Sequence, residues 1–354
     1  MTPCLVLNIK DFLIFPIGMI ILRGLPIGVL VRSEFFPVTT KFICYFKGAL
    51  PFDVYLERFE GKFTKIYHKD GEHDSSQIDR YENKEIKTLY ISQTDKNTYG
   101  NFLCKAIDQF NHGSVDLDKE KMIDIIKTTL ELTYEKIVEN NNELDMSITW
   151  ASHQVRNALY LMGDDTATAI EIFKALSSEL HLLKHSYLVS LFSLSLAKKL
   201  EFTNDRNLMG IGLGALLHDI GHSRIESELF QKIHLSPSEW EEVKDHPVIG
   251  LKILERSKAI PADVRSIILQ HHEQPNGRGY PNRLGGNKIF PPAKIVAIAE
   301  EFCSLVTMSG PNEPALSPAQ AITRMKDDIG HYDPEFLDSF EEMILGPKKP
   351  VKAK

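Results

Sequence analysis

The chain is poor in the features that would mark it for an oxidising compartment, a nucleic acid or a membrane. Its 354 residues include four cysteines, Cys4, Cys44, Cys104 and Cys303, with no CxxC pair, which excludes a disulfide framework and a cysteine-built zinc site. A reducing cytoplasm is the expected location. Positive charge is also short. The 41 Lys and Arg stand against 48 Asp and Glu, for a net charge of -7, whereas a nucleic-acid polymer or a membrane surface calls for a clustered basic excess. Any anionic partner must be caught locally. The N-terminal apolar run over residues 18–31 is broken by Arg23, Gly24, Pro26 and Gly28. It reads as buried strands rather than a membrane span, and no signal-peptide cleavage pattern follows it. Internal repeats and low-complexity tracts are missing as well.

What is present divides the chain. With 43% hydrophobic residues, it can bury at least one substantial core, and its length suits two domains. Residues 1–110 favour short β segments such as Phe42-Ile-Cys-Tyr-Phe46, Val54-Tyr-Leu56 and Thr88-Leu-Tyr-Ile-Ser92, separated by Gly, Pro and polar turns. They are expected to form a small β-rich sensory or interaction domain, with the polar stretch Gly71 to Asp79 as a solvated loop. Met122, Ile125, Ile126, Leu130, Leu132 and Ile137 then recur at helical spacing, predicting a connecting helical segment over 111–164. Residues 165–345 are helical in pattern apart from a loop after His272, and 346–354 form a basic, proline-punctuated tail expected to be disordered. The fold class is α+β and multidomain: a helical bundle C-terminally, with a small β-rich domain before it.

Histidine is crowded. Of 13 in the chain, eight lie between positions 181 and 272: His181, His185, His218, His222, His234, His246, His271 and His272. His218 and Asp219 close the apolar run Ile211 to Leu217, where a buried carboxylate demands a compensating cation. A short Asp at a helix end can place one oxygen on each of two metal ions. His271 and His272 follow the apolar segment Val264 to Leu269, with Glu273 next as a helper. His185 lies on an apolar helix, His246 opens a helix at Pro247, and Glu300 and Glu301 end the buried run Ile295 to Ala299. Imidazoles and carboxylates without thiolates favour iron, manganese or zinc over calcium. Two such ions would hold a phosphate, generate hydroxide and neutralise charge at phosphorus, so the chemistry is phosphoester hydrolysis. His218 and His222, four apart, also fit the two-histidine zinc helix of metalloproteases, though Gly221 and Asp219 fit that motif poorly.

At these residues the chain resembles the HD-GYP subgroup of the HD phosphohydrolase superfamily. The matching residues are Leu216-Leu-His-Asp-Ile-Gly221, Glu239-Trp240, His246-Pro247, His271-His-Glu-Gln-Pro-Asn-Gly-Arg-Gly-Tyr-Pro281 and Leu284, within a region of about residues 165–340. The resemblance implies an HD-type helical bundle whose two- or three-metal centre, often of iron, hydrolyses cyclic di-GMP to pGpG and sometimes on to GMP. The implied ligands of two ions are His185, His218, Asp219, His246, His271, His272 and Glu300. Asp219 is expected to bridge, and His222 or Arg278 to steady the phosphate or the leaving oxygen. In the loop, the glycines permit a tight bend, and Arg278 and Tyr280, with Lys294 beyond, line a pocket for an anionic nucleotide. Four positions depart from the family pattern. His222 replaces a lysine, His181 a glutamate and Glu300 an aspartate, and Gly310-Pro-Asn-Glu313 replaces a basic arginine-proline-tyrosine segment. These departures leave a second reading open, a weakly active or inactive receptor that binds cyclic dinucleotide and signals to a protein partner. The resemblance also implies a diguanylate cyclase or other signalling protein as partner, while the N-terminal domain leaves homodimerisation open as an equal alternative to sensing.

Overall fold

The computed structural model of the chain describes residues 34–40, 43, 49–59, 61–71, 81, 84, 86–111, 119–138, 143–162, 182–226, 228–232, 234–307 and 315–347. The apolar run at 18–31, the segment 42–46 save Ile43, most of the 71–79 loop, His181, residues 310–313 and the tail beyond Pro347 lie outside them. The chain forms two compact units, one of Pro26–Leu161 and the other of Met162–Lys354 with Met1–Leu25.

In the first unit four strands, β1 (Phe35–Thr39), β2 (Val54–Phe59), β3 (Lys62–Tyr67) and β4 (Thr88–Ser92), form an antiparallel sheet in the order β1-β4-β2-β3. Alternation sorts the side chains. Phe36, Val38, Val54, Leu56, Leu89 and Ile91 are buried. Phe35, Tyr55, Phe63 and Tyr90 meet one another as half-buried rings, with centroids 4.3 to 4.9 Å apart. Three helices follow, α1 (Lys96–Asn111), α2 (Lys119–Val138) and α3 (Leu144–Met162). α2 and α3, which fall in the expected connecting segment, are grouped with the sheet in one compact unit, and α1 lies in the stretch expected to be β-rich. Their apolar stripes bury Ile125, Ile126, Leu130 and Ile137 as the spacing predicts, around a fully buried Trp150 whose Nε1–H donates to Asn101 Oδ1 at 2.8 Å.

The second unit is wholly helical among its described residues: α4 (Leu182–Lys199), α5 (Asp205–Leu217), α6 (Pro237–Lys244), α7 (His246–Leu254), α8 (Ala262–Gln270), α9 (Pro291–Thr307), α10 (Pro318–Asp327) and α11 (Pro334–Leu345), with short 3₁₀ turns between them. Three helices start where the sequence punctuates them. Ser236-Pro237 and Ser317-Pro318 open capping boxes completed by Glu239 and Gln320, and Asp333-Pro334 caps α11. α4 packs on α5 and α9, α5 on α8, and α7 on α8. The rings of Phe192, Phe302 and Phe340 tie α4, α9 and α11 together, at 5.0 to 6.3 Å between centroids. Among the described residues no helix is long and apolar enough to cross a membrane.

Candidate metal centre

The cluster is assembled where α5, α7, α8 and α9 carry polar residues into an apolar core. His218 is the C-cap of α5, and Asp219 precedes a 3₁₀ turn at Ile220–Arg224. That turn crosses α7 at Gly221, where a Cβ would lie 1.9 Å from the His246 carbonyl oxygen and 2.8 Å from Gly250 N. Only glycine allows this approach, and the approach brings His246 against Asp219. His271 caps the C-terminus of α8, His272 follows it, and Glu300 is buried within α9.

Two overlapping sets of donor atoms result, Asp219 with His246, His271 and His272, and His218 with Asp219, His271 and Glu300; within each set every donor lies within 4.8 Å of the others. Asp219 serves both. Its Oδ2 is 3.1 Å from His218 Nε2, while Oδ1 is 3.3 Å from His246 Nε2 and 3.9 Å from His271 Nε2. His272 Nε2 approaches Glu300 Oε1 at 3.6 Å. His185 is fully buried beside His218, ring centroids 6.0 Å apart, but belongs to neither set.

The hydrogen bonds say which imidazole nitrogen faces inward. Nδ1 of His218, His246 and His271 each meets a carbonyl three residues earlier, on Ala215 at 2.6 Å, Val243 at 2.9 Å and Ile268 at 2.8 Å. A carbonyl only accepts, so each Nδ1 carries a proton and each Nε2 is the nitrogen that faces the centre, as a lone pair in His246 and His271. His246 Nε2 and His271 Nε2 are 3.1 Å apart. Two lone pairs at that separation repel unless a cation lies between them. His218 Nε2, Asp219 Oδ1 and His272 Nε2 are buried without hydrogen-bond partners, an arrangement that folded proteins rarely leave uncompensated. The residues therefore fit a metal centre.

Protonation preferences agree. Burial pulls His185 down to about 4 and His271 to about 3, and holds His246 and His272 well below the usual imidazole range; neutral rings at neutral pH are the form that binds metal. His218 is the exception: burial opposes its charge, but Asp219 and Glu300 outweigh it and lift the ring to about 9, so that without metal it carries the positive charge beside Asp219 that a bound ion would replace. Burial would raise Asp219, yet His218 and His222 hold it well below the carboxylate range. Burial, helped by Asp219 and Glu301, drives Glu300 well above that range against the pull of His218. The pocket as a whole calls for positive charge.

The His271–Pro281 loop lies over this cluster. The buried Glu273, expected beside the metals, turns instead to the loop, its two oxygens accepting the backbone N–H groups of Asn282 and Leu284, both at 2.7 Å. At Gly279 a Cβ would be 2.4 Å from both His272 O and Gln274 N, so the chain folds back tightly there. Tyr280 then stacks on His272 at 4.5 Å and 23°. Of the other two predicted nucleotide contacts, Arg278 is exposed, and Lys294 pairs through Nζ with Asp333 Oδ2 at 3.0 Å. The structure brings neither to the donor sets. It does bring a lysine that sequence reasoning passed over: Lys244 Nζ lies 6.0 Å from the Tyr280 ring centroid and 5.6 Å from that of Trp240. Its one sequence signal is its place two residues before His246.

Residues 172–336 match the family model described as HD domain. Among curated proteins, "Cyclic di-GMP phosphodiesterase PA4108" of Pseudomonas aeruginosa is 29% identical over 176 residues, 49% of this chain and 42% of the relative. A "Cyclic di-GMP phosphodiesterase" of Thermotoga maritima is 34% identical over 134 residues, covering 37% of this chain and 36% of the relative. The "3'3'-cGAMP-specific phosphodiesterase 2" of Vibrio cholerae is 32% identical over 124 residues, covering 34% and 24% respectively. The chain thus spans less than half the length of these relatives. In fold it is similar to the solved structure "Bd1817, a HDG"Y"P protein from Bdellovibrio bacteriovorus", with a TM-score of 0.62 at 23% identity over 88% of this chain and 100% of that one. The helical unit carries an HD domain, the class that its bundle and its histidine–aspartate pair define. With the His271–Pro281 loop folded over that pair, this unit is similar to the cyclic di-GMP phosphodiesterases among these relatives and, in fold, to the Bdellovibrio HD-GYP protein.

Proposed function

We propose that the chain is a metal-dependent cyclic dinucleotide phosphodiesterase that hydrolyses cyclic di-GMP to pGpG and GMP with two ions, iron foremost and manganese or zinc as alternatives. The observation that carries the reading is the divided carboxylate of Asp219, which turns Oδ2 to His218 and Oδ1 to His246 and His271. With Asp219 shared between them, His246, His271 and His272 would hold one ion, and His218 and Glu300 the other. His185 joins this second set, on the strength of a buried Nδ1 without a hydrogen-bond partner. When bound, such ions lower the pKa of water to supply hydroxide near neutral pH and neutralise charge on a phosphodiester.

The chain's own residues do the rest. Carbonyls of α5, α6 and α8 orient the imidazoles, Glu273 holds the loop in shape, and Tyr280 offers its ring over His272 for a guanine to stack on. Arg278 and Lys294 are carried as nucleotide contacts, made once substrate draws them from solvent and from Asp333. The N-terminal unit is read as the sensory or interaction part, with a diguanylate cyclase or a second copy of the chain as its partner, in the cytoplasm.

The test is turnover of cyclic di-GMP and 3'3'-cGAMP by protein purified anaerobically and loaded with Fe(II) or Mn(II), products being read by chromatography. Metal-loaded protein that cleaves neither would overturn the proposal. A receptor without turnover is the second reading. It is favoured by the exposure of Arg278 and the pairing of Lys294, which leave little positive charge at the cluster. Calorimetric binding of cyclic di-GMP with no product would select it.

A further inference from the structure

The histidine that stands in place of the family lysine is placed for a role other than the phosphate contact expected of it. We propose that His222 is an additional ligand of the ion held by Asp219 and His246; this rests on the metal-centre reading above and adds a donor to it.

The local fold puts His222 there. The His222 N–H donates to the Asp219 carbonyl at 3.0 Å, closing the 3₁₀ turn, and such a turn lays side chains three apart on one side. The result is a His222 Nε2 3.4 Å from Asp219 Oδ1, the oxygen that also lies 3.3 Å from His246 Nε2. The His222 ring is stacked on that of His246, centroids 4.1 Å apart at 22°, and Phe230 backs it edge-on at 5.5 Å. The two imidazoles are thus parallel neighbours around a single carboxylate oxygen.

Its partners, and its lack of them, separate three roles. A histidine that merely fills a core satisfies its nitrogens with ordinary donors and acceptors, yet Nδ1 of His222 is buried without a partner, Nε2 faces only the Asp219 oxygen at 3.4 Å, and the residue is 1% exposed. A phosphate contact would need a face open to substrate, which that burial denies. A ligand needs an unclaimed lone pair beside an anionic donor, and Nε2 has that. Stacking between His246 and Phe230 replaces the carbonyl hydrogen bond that orients the other rings.

Cobalt supplies the test, because its visible bands report the number and kind of ligands. The full chain is stripped of metal and titrated with Co(II), for the parent, His222→Ala, His222→Gln and His218→Ala. Thermal melts of the metal-free forms identify the variants that fold like the parent. In those, the His222 substitutions are expected to weaken one class of Co(II) by about tenfold or more and to shift its d–d bands, leaving the other class unchanged. Unchanged affinity overturns the proposal. So does weaker binding with unchanged bands, the mark of a packing role. If both His222 variants unfold, the bands of the parent decide alone: a count of nitrogen donors no larger than the other histidines supply overturns the proposal. Loss of binding in His218→Ala while the His222 variants match the parent leaves the metal centre standing and removes only His222. Absence of Co(II) binding by the parent overturns both.

Discussion

Gly221→Ala is the smallest change that should dismantle the site without touching a ligand. The new methyl carbon would lie 1.9 Å from the His246 carbonyl oxygen, 2.8 Å from the His246 carbonyl carbon and 2.8 Å from Gly250 N. All three are backbone atoms, so no rotamer change relieves the clash. Reaching ordinary van der Waals separation requires the start of α7 to move on the order of 1.5 Å. Overpacking of this kind costs about 3 kcal/mol, which for a unit of this size lowers Tm by roughly 6 to 12 °C. The displaced residue is His246 itself, whose Nε2 sits 3.1 Å from His271 Nε2, and a shift of about 1 Å at a reacting centre costs around a hundredfold in rate. The control is Gly210→Ala on α5, where the added carbon meets only Asp263 Cβ at 4.0 Å and alanine favours the helix by up to about 1 kcal/mol. Calorimetric melts with metal analysis on both variants check the argument. If Gly221→Ala melts within about 2 °C of the parent and keeps its metal, the reasoning from backbone proximity is wrong.

Other outcomes follow from the same geometry. Glu273→Ala removes two charge-assisted hydrogen bonds to the loop and should cost about 3 kcal/mol; hydrogen exchange at the amides of Asn282 and Leu284 should quicken, whereas Lys288→Ala, on an exposed residue, should change neither quantity. Stripping metal from the loaded protein should lower Tm by roughly 5 to 10 °C, because a ligand at a hundred times its Kd contributes about 2.7 kcal/mol; identical melts with and without chelator would count against the donor sets. Lys244→Ala should raise KM for cyclic di-GMP about fivefold with kcat held, since the ammonium beside Tyr280 meets substrate but not the reacting bond. The exposed Lys252 is its control.

Much of the helical unit could be read along the chain because its signals are local. Apolar spacing over Ile211 to Leu217, Val264 to Leu269 and Ile295 to Ala299 marked α5, α8 and α9, and Pro247 marked the start of α7. His218, Asp219, His246, His271, His272 and Glu300 were identified as donors by residue type and motif, and the structure draws all six into two overlapping sets. The N-terminal sheet was legible at Val54 to Leu56 and at Thr88 to Ser92. Its strand order β1-β4-β2-β3 was not, since strand pairing depends on contacts distant in sequence.

What the sequence alone determined was composition: which helices would be buried at their ends beside an imidazole or a carboxylate, and hence that a cation was wanted. Tertiary structure decided allocation. Glu273 went to the loop because two amides lay within 2.7 Å of its oxygens. Lys294 went to Asp333 because α9 and the cap of α11 bring them together, and Lys244 reached Tyr280 because the loop folds back at Gly279. A side chain's partner depends on which elements pack around it, and spacing along one strand of sequence carries no measure of that.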